Sequence, residues 1–367
     1  MQLHLFDDEK VVNRAIDLFE KALPNQNIYI CFVGDIVHFV NATNNLYFYK
    51  EGEYFQIDNL KNVNKIIIHN LSYRKVVFIN TYLPQPIPCY WNIWGGDLYN
   101  TILEYRGCSI YYEPRYLGVK YFIRKALCYL NIYSNIQKTV LSFIKNRVTH
   151  FVTSADYDTA KQYIRDYITG VQVTGFRYYP IDVMLGELVD KSAKGNVLLL
   201  GNSASFTNNH SYAFKYLSNL DLKDKKIVVP LSYGGSLKYI NHIIKQGKRR
   251  WGNFFVPLQD FLSLDKYNQL LTTAEICIFS SWRQEAFGNI VIALYLGAKV
   301  FLSERSSLLN YFRSIDVVIY PLEQMRQEDI DFPLSDEIKE SNRKILFELL
   351  NEQVIVNNIR NIWGNNK

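Results

Sequence analysis

The chain is poor in cysteine and has no long apolar run. Five cysteines in 367 residues, Cys31, Cys89, Cys108, Cys128 and Cys277, lie scattered without a C-x-x-C pair or a His/Cys cluster. That spacing argues for free thiols in a reducing compartment and against a disulfide framework or a zinc site. No apolar stretch approaches the ~20 residues of a membrane span, and the opening "MQLHLFDDEK" turns acidic within eight positions. A protein neither secreted nor integral is expected. Acid is also missing locally. Between Glu113 and Asp156 there is none, while Arg115, Lys120, Arg124, Lys125, Lys138, Lys145 and Arg147 are basic. Those seven charges exceed the net charge of +6, so the asymmetry is local and implies one anionic partner surface.

What is present is a succession of short apolar, β-branched runs separated by segments of helical period. They include "NIYICFVG" (27–34), "NKIIIHN" (64–70), "KVVFIN" (75–80), "HFVTSA" (150–155), "GNVLLLGN" (195–202), "KKIVVPL" (225–231), "EICIFSS" (275–281) and "AKVFLS" (298–303). Continuous apolar strands alternating with helices predict parallel sheets covered on both faces, hence an α/β protein. The length suits two domains. A boundary near 176–194, around Pro180 and Gly186, gives an N-terminal Rossmann-like domain over 1–180 and a second over 190–340. A C-terminal helix follows over 341–367. Two such doubly wound domains facing across a cleft would bind ligands at the carboxyl ends of their strands.

Three stretches carry candidate chemistry. "CYWNIWGGDLYN" (89–100) reads as a buried strand turning through Gly95 and Gly96 toward Asp97. Asp97 is either the N-cap of the next helix or a carboxylate at a substrate pocket beside Trp91 and Trp94. "VLLLGNSASFTNNHSYAF" (197–214) is a strand, a tight Gly201-Asn202-Ser203 turn, and a helix capped by Asn208 or Asn209. Small residues there let backbone N–H groups approach an anion, although such turns are also common for structural reasons alone. In "SSWRQEAFGNIVIALYLGAKVFLSER" (280–305), a polar loop after a strand precedes a buried helix. The N–H groups of Gly288, Asn289 and Ile290 would hold a diphosphate, and Arg283 would add a charge-assisted bond.

"WNIWGGDLY", "LLLGNSASFTNNH", "IVVPLSYGG" and "SWRQEAFGNIVIALYLGAKVFLSER" occur in that order between about residues 85 and 310. In this the chain resembles the 4-acetamido-4,6-dideoxygalactose (Fuc4NAc) transferase family of enterobacterial common antigen synthesis. The resemblance implies a two-Rossmann, metal-independent glycosyltransferase without a cofactor. Its donor would be a TDP-sugar, and its acceptor an undecaprenyl-diphosphate-linked saccharide of the common antigen or an O-antigen. On this reading Gly201, Asn202, Ser203, Asn208, His210, Arg283, Gln284, Gly288 and Asn289 would hold the donor, with Tyr233 near the base or sugar. Asp97 would take the acceptor proton, beside Trp91 and Trp94. Glu285 opens an E-x-F-G loop, but Ala293 or Leu294 stands where many retaining enzymes of this fold carry a second glutamate, so the stereochemical outcome stays open.

The basic segment mixes its charges with Tyr116, Tyr121, Phe122, Tyr129, Tyr133 and Phe143. Lys120, Arg124 and Lys125 would face an anionic membrane surface, with Leu127 and Leu130 turned to the core. Nucleic acid is not expected, since the rest of the chain has no basic surplus or binding motif. The expected location is cytoplasmic, peripheral at the inner face of the bacterial inner membrane. An epimerase of the same fold and a non-catalytic nucleotide-sugar binder are the rival readings.

Overall fold

The computed structural model describes residues 1–364 except Tyr54, Gln56, Ile57, Asn131, Tyr133 and Ser154. Tyr133 of the basic segment and the last three residues of the expected C-terminal helix thus lie outside the described residues. Contacts divide the chain into two units. One comprises Met1–Cys108, Arg124–Pro180 and Glu352–Lys367; the other comprises Ser109–Ile123 and Ile181–Asn351.

In the first unit, seven strands form one sheet: β1 Gln2–Asp7, β2 Asn27–Phe32, β3 Leu46–Tyr49, β4 Lys65–His69, β5 Cys89–Asn92, β6 Val148–Val152 and β7 Gln172–Thr174. Their order is β3-β2-β1-β4-β5-β6-β7, and every pairing is parallel. The chain therefore winds outward from β1 in one direction and then from β4 in the other, a doubly wound sheet with its switch point between those strands. β1 itself was not anticipated. Its sequence "QLHLFD" is short, and its central position buries His4 along with Leu3 and Leu5.

"KVVFIN" is not a strand. It lies in the helix Tyr73–Tyr82, whose N-cap Ser72 accepts a hydrogen bond from the Lys75 N–H. Val76 and Ile79 are buried three residues apart on one helix face, a spacing that a six-residue apolar run cannot distinguish from a buried strand. The expected C-terminal helix is two helices. Asp336–Leu350 belongs to the second unit, whereas Glu352–Trp363 returns to the first. The latter places Ile355, Ile359 and Trp363 on one face. Its Trp363 ring, wholly buried, packs 5.1 Å from Phe19 and 5.6 Å from Phe176.

In the second unit, β8 Val197–Leu200, β9 Lys226–Pro230, β10 Phe255–Leu258, β11 Ala274–Phe279, β12 Lys299–Leu302 and β13 Tyr320–Pro321 are ordered β10-β9-β8-β11-β12-β13, again all parallel. The switch point lies between β8 and β11, so the two loops that leave these strands, 201–209 and 280–286, meet there. The Ser109–Ile123 segment is fastened to this unit by Asn209. Its side chain accepts from the Tyr112 N–H (2.8 Å) and donates to the Ile110 carbonyl (3.1 Å).

Candidate active site

In the second unit the predicted donor residues come together at the switch point. Gly201 turns the chain with φ +74°, and a Cβ there would lie 2.7 Å from Asn208 Oδ1 and 3.2 Å from His210 Nε2. Only glycine leaves the turn this close to both side chains. Asn208 Oδ1 accepts from the Asn202 N–H at 3.0 Å, and its amide donates to Ser203 Oγ and to Glu285 Oε1. Ser280 Oγ donates to the Asn208 carbonyl at 2.6 Å. One asparagine thus ties the β8 loop to the β11 loop. The helix His210–Leu217 starts from Asn209 in the left-handed conformation, with no side-chain cap. His210 is fully buried, with Nδ1 3.0 Å from the Tyr239 hydroxyl. Burial lowers its pKa to about 3, so the ring is neutral.

Tyr233 lies in the loop after β9, half-exposed. Burial raises its phenol pKa, and a hydrogen bond with the Asn202 side chain opposes the rise. Gly235 makes this approach possible, because a Cβ there would lie 2.3 Å from the Ala204 carbonyl. In the other loop Glu285 accepts from Ser281 Oγ at 3.0 Å and lies 3.5 Å from Arg283 Nε. Ala286 adopts φ +60° and starts the helix Phe287–Tyr295 without a side-chain cap. The Ile290 N–H, expected to face a ligand, instead bonds to the Ala286 carbonyl (3.0 Å). Those of Gly288 and Asn289 lie in the first turn, where no intrahelical partner exists.

Three consecutive side chains of this loop carry buried polar atoms with no hydrogen-bond partner among the described residues, Trp282 Nε1, Arg283 Nε and Gln284 Oε1. Native interiors rarely leave such groups unsatisfied. Trp282 and Arg305 were not anticipated. The Arg305 guanidinium stacks 3.7 Å from the centre of the Trp282 ring and donates to the Ser109 carbonyl at 3.0 Å. The signal was the position of "SER" at the end of β12.

In the first unit Asp97 is placed differently from either expectation. Gly95 is the N-cap of the π-helical segment Gly96–Leu103, with Asp97 inside its first turn. Asp97 is 4% exposed. One oxygen accepts from Trp91 Nε1 (2.7 Å) and the Leu71 N–H (2.9 Å), the other from the Trp94 N–H (3.0 Å). Burial raises its pKa, against the pull of these donors. The carboxylate joins the end of β5 to the turn after β4. Trp91 is wholly buried in β5, 5.0 Å from Phe151, and has no face for a sugar. Trp94 is partly exposed and donates from Nε1 to the Tyr178 hydroxyl at 2.7 Å.

The switch point of this unit holds other acids. Asp7, at the end of β1, pairs with the fully buried Lys75 (2.6 Å) and with Arg74 (3.2 Å). Asp8 accepts from the backbone of residues 38–40. Glu9 is exposed to solvent, and its pKa is raised by partial burial and by Asp7 and Asp8. The sequence signal was "DDE" directly after an alternating apolar run.

The basic segment also departs from expectation. The helix Val119–Tyr129 buries no side chain, and Leu127 and Leu130 are 41% and 69% exposed instead of turned to the core. Lys120 and Arg124 are exposed, with Arg124 lying 5.5 Å from the Tyr105 ring, while Lys125 is half-buried.

Two parallel, doubly wound sheets, each with its loops at a switch point, make a fold of the two-Rossmann glycosyltransferase type. Solved structures share it over nearly the whole chain. Sucrose-phosphate synthase from Thermosynechococcus elongatus is 9% identical, with a TM-score of 0.64 and coverage of 99% of this chain and 98% of that one. A glycosyltransferase from Rickettsia africae is 13% identical, with a TM-score of 0.62 and coverage of 100% and 99%. HepE from Anabaena, solved in complex with UDP and glucose, is 11% identical, with a TM-score of 0.59 and coverage of 98% of each chain. The model of the family described as 4-alpha-L-fucosyltransferase, glycosyl transferase group 56, matches residues 143–330, just over half of the chain. The protein belongs to that family and is a nucleotide-sugar glycosyltransferase. The matched region contains both loops of the second-unit site.

Proposed function

We propose that the protein transfers a 4-amino-4,6-dideoxyhexose, Fuc4NAc, from a TDP donor to an undecaprenyl-diphosphate-linked saccharide of the bacterial common antigen or an O-antigen. It would work at the inner face of the inner membrane. The observation that carries the donor assignment is the second-unit switch point. There an uncapped helix start and the Trp282 Nε1 and Arg283 Nε donors, which have no hydrogen-bond partner among the described residues, occupy one short loop beside the Gly201 turn. The diphosphate accepts from the N–H groups of Gly288 and Asn289 and pairs with Arg283, which stabilises the leaving TDP without a metal ion. Asn202, Ser203, Asn208 and neutral His210 shape the turn against the donor, and Tyr233 meets the base or sugar.

In the first unit, Asp97 is a positioning residue, since both of its oxygens are engaged by the protein. We assign the acceptor proton to Glu9, whose carboxylate stands open to solvent after β1 at the switch point. Trp94 is the aromatic residue left to meet the acceptor sugar.

The test is transfer itself. Incubation with TDP-Fuc4NAc and a lipid-linked saccharide should release TDP and extend the acceptor, and the UDP-sugar analogues should react poorly. Transfer from UDP-sugars alone would contradict the donor assignment.

A further inference from the structure

Helix Val119–Tyr129 combines two properties that a helix of a soluble surface seldom has together. Its outward face is apolar, with Val119 73%, Phe122 45%, Ile123 57% and Leu127 41% exposed. Leu130, whose N–H still bonds to the Ala126 carbonyl, is 69% exposed. These positions, spaced i, i+3, i+4, i+8 and i+11, form one stripe along the helix. Beyond the helix, Ile132 is also exposed, at 54%. The half-buried Tyr121, Lys125 and Cys128 lie on the opposite side. Lys120 and Arg124, four residues apart, run along one edge of the stripe.

An uncovered apolar stripe of this length marks a binding surface, and its charge selects the occupant. The surrounding sequence carries seven cations and no acid between Glu113 and Asp156. A second copy of the same face would meet it with like charge, whereas an anionic lipid surface offers hydrocarbon to the stripe and phosphate to the lysine and arginine. We propose that helix Val119–Tyr129 lies in the plane of an anionic bilayer, with the Val119, Phe122, Ile123, Leu127 and Leu130 side chains inserted at the acyl boundary and Lys120 and Arg124 on the headgroups. The inference rests on the lipid-linked acceptor proposed above. It differs from a purely electrostatic attachment in making the apolar stripe the main determinant.

Flotation of the full chain with vesicles of phosphatidylglycerol and phosphatidylcholine, and of phosphatidylcholine alone, tests it. Phe122→Gln with Leu127→Gln should weaken vesicle binding by about a hundredfold at low and high salt alike, roughly tenfold for each side chain withdrawn from the apolar phase. Lys120→Gln with Arg124→Gln should weaken it by about tenfold, at low salt only. A Phe122→Trp variant should shift its emission to the blue on adding anionic vesicles. Calorimetric TDP binding, measured on each variant, should be unchanged. If the wild type fails to bind TDP while flotation follows this pattern, the donor assignment falls and the helix assignment stands. Unchanged flotation of the Phe122→Gln/Leu127→Gln protein overturns the proposal, as does an emission of the Phe122→Trp variant that anionic vesicles leave unmoved. So does a wild-type dimer in sedimentation that the Phe122→Gln/Leu127→Gln changes dissolve, which would give the stripe to a second copy.

Discussion

Asp97 shows how one side chain can satisfy a sequence pattern and still serve another purpose. Its two oxygens face three donors, the Trp91 indole and the Leu71 and Trp94 N–H groups. Asparagine at this position would turn an NH2 toward at least one of them. Asp97→Asn should therefore lower unfolding stability by about 1–3 kcal/mol, the cost of a buried donor left unpaired, as measured by urea denaturation. Glu9→Gln should do the reverse, leaving stability unchanged and lowering turnover by roughly a hundredfold or more. If Asp97→Asn were fully stable and inactive, the proton would belong to Asp97. The buried histidines give a second expectation. His4 and His210 have pKa values lowered by burial to about 3, and His69 is lowered as well. Below the ordinary value of 6.5 the unfolded chain takes up protons that the folded chain refuses. Stability is thus unaffected by these groups above pH 6.5 and is lost as pH falls below it. Urea midpoints measured from pH 7.5 down to pH 4.5 should fall steadily; a flat profile would mean that these rings are protonated in the fold.

At the scale of elements, the runs that form β2, β4, β6, β8, β9, β11 and β12 are legible because buried parallel strands are continuously apolar. "KVVFIN" misleads for the same reason, since a helix buried on one face can also show a short apolar run. The last helix is legible as a helix but not in its placement. Nothing in "EQVIVNNIRNIW" says that its Ile355, Ile359 and Trp363 stripe closes a core built from residues more than 150 positions earlier, among them Phe19 and Phe176. Trp363→Ala should accordingly destabilise the first unit by about 3–5 kcal/mol, visible in far-ultraviolet circular dichroism during denaturation. A loss below 1 kcal/mol would mean that the helix only rests on the surface. Helix Val119–Tyr129 is the converse case. Its charges are readable, but its leucines read as core, because periodicity identifies a face without saying what covers it.

For the whole molecule, the sequence motifs and the structure agree best where the chain punctuates its sheets. Gly201 and the "WRQEAFG" loop stand out as turn chemistry between apolar runs, and the second sheet brings them to one switch point. The acids after β1 do not stand out, because the strand that presents them is recognisable only once its six residues are seen paired between β2 and β4. The Trp282–Arg305 stack is equally hidden, since it joins side chains from the ends of two strands. The central claim is that the second-unit loops hold the TDP diphosphate through N–H groups and Arg283. Its most direct test is calorimetric titration with TDP in excess EDTA, on the wild type and on Arg283→Gln. The wild type should bind without metal, and Arg283→Gln should bind about tenfold to a hundredfold more weakly, the range for a lost charge-assisted hydrogen bond. Binding that vanishes in EDTA and returns with magnesium or manganese, or that is indifferent to Arg283→Gln, would contradict the account.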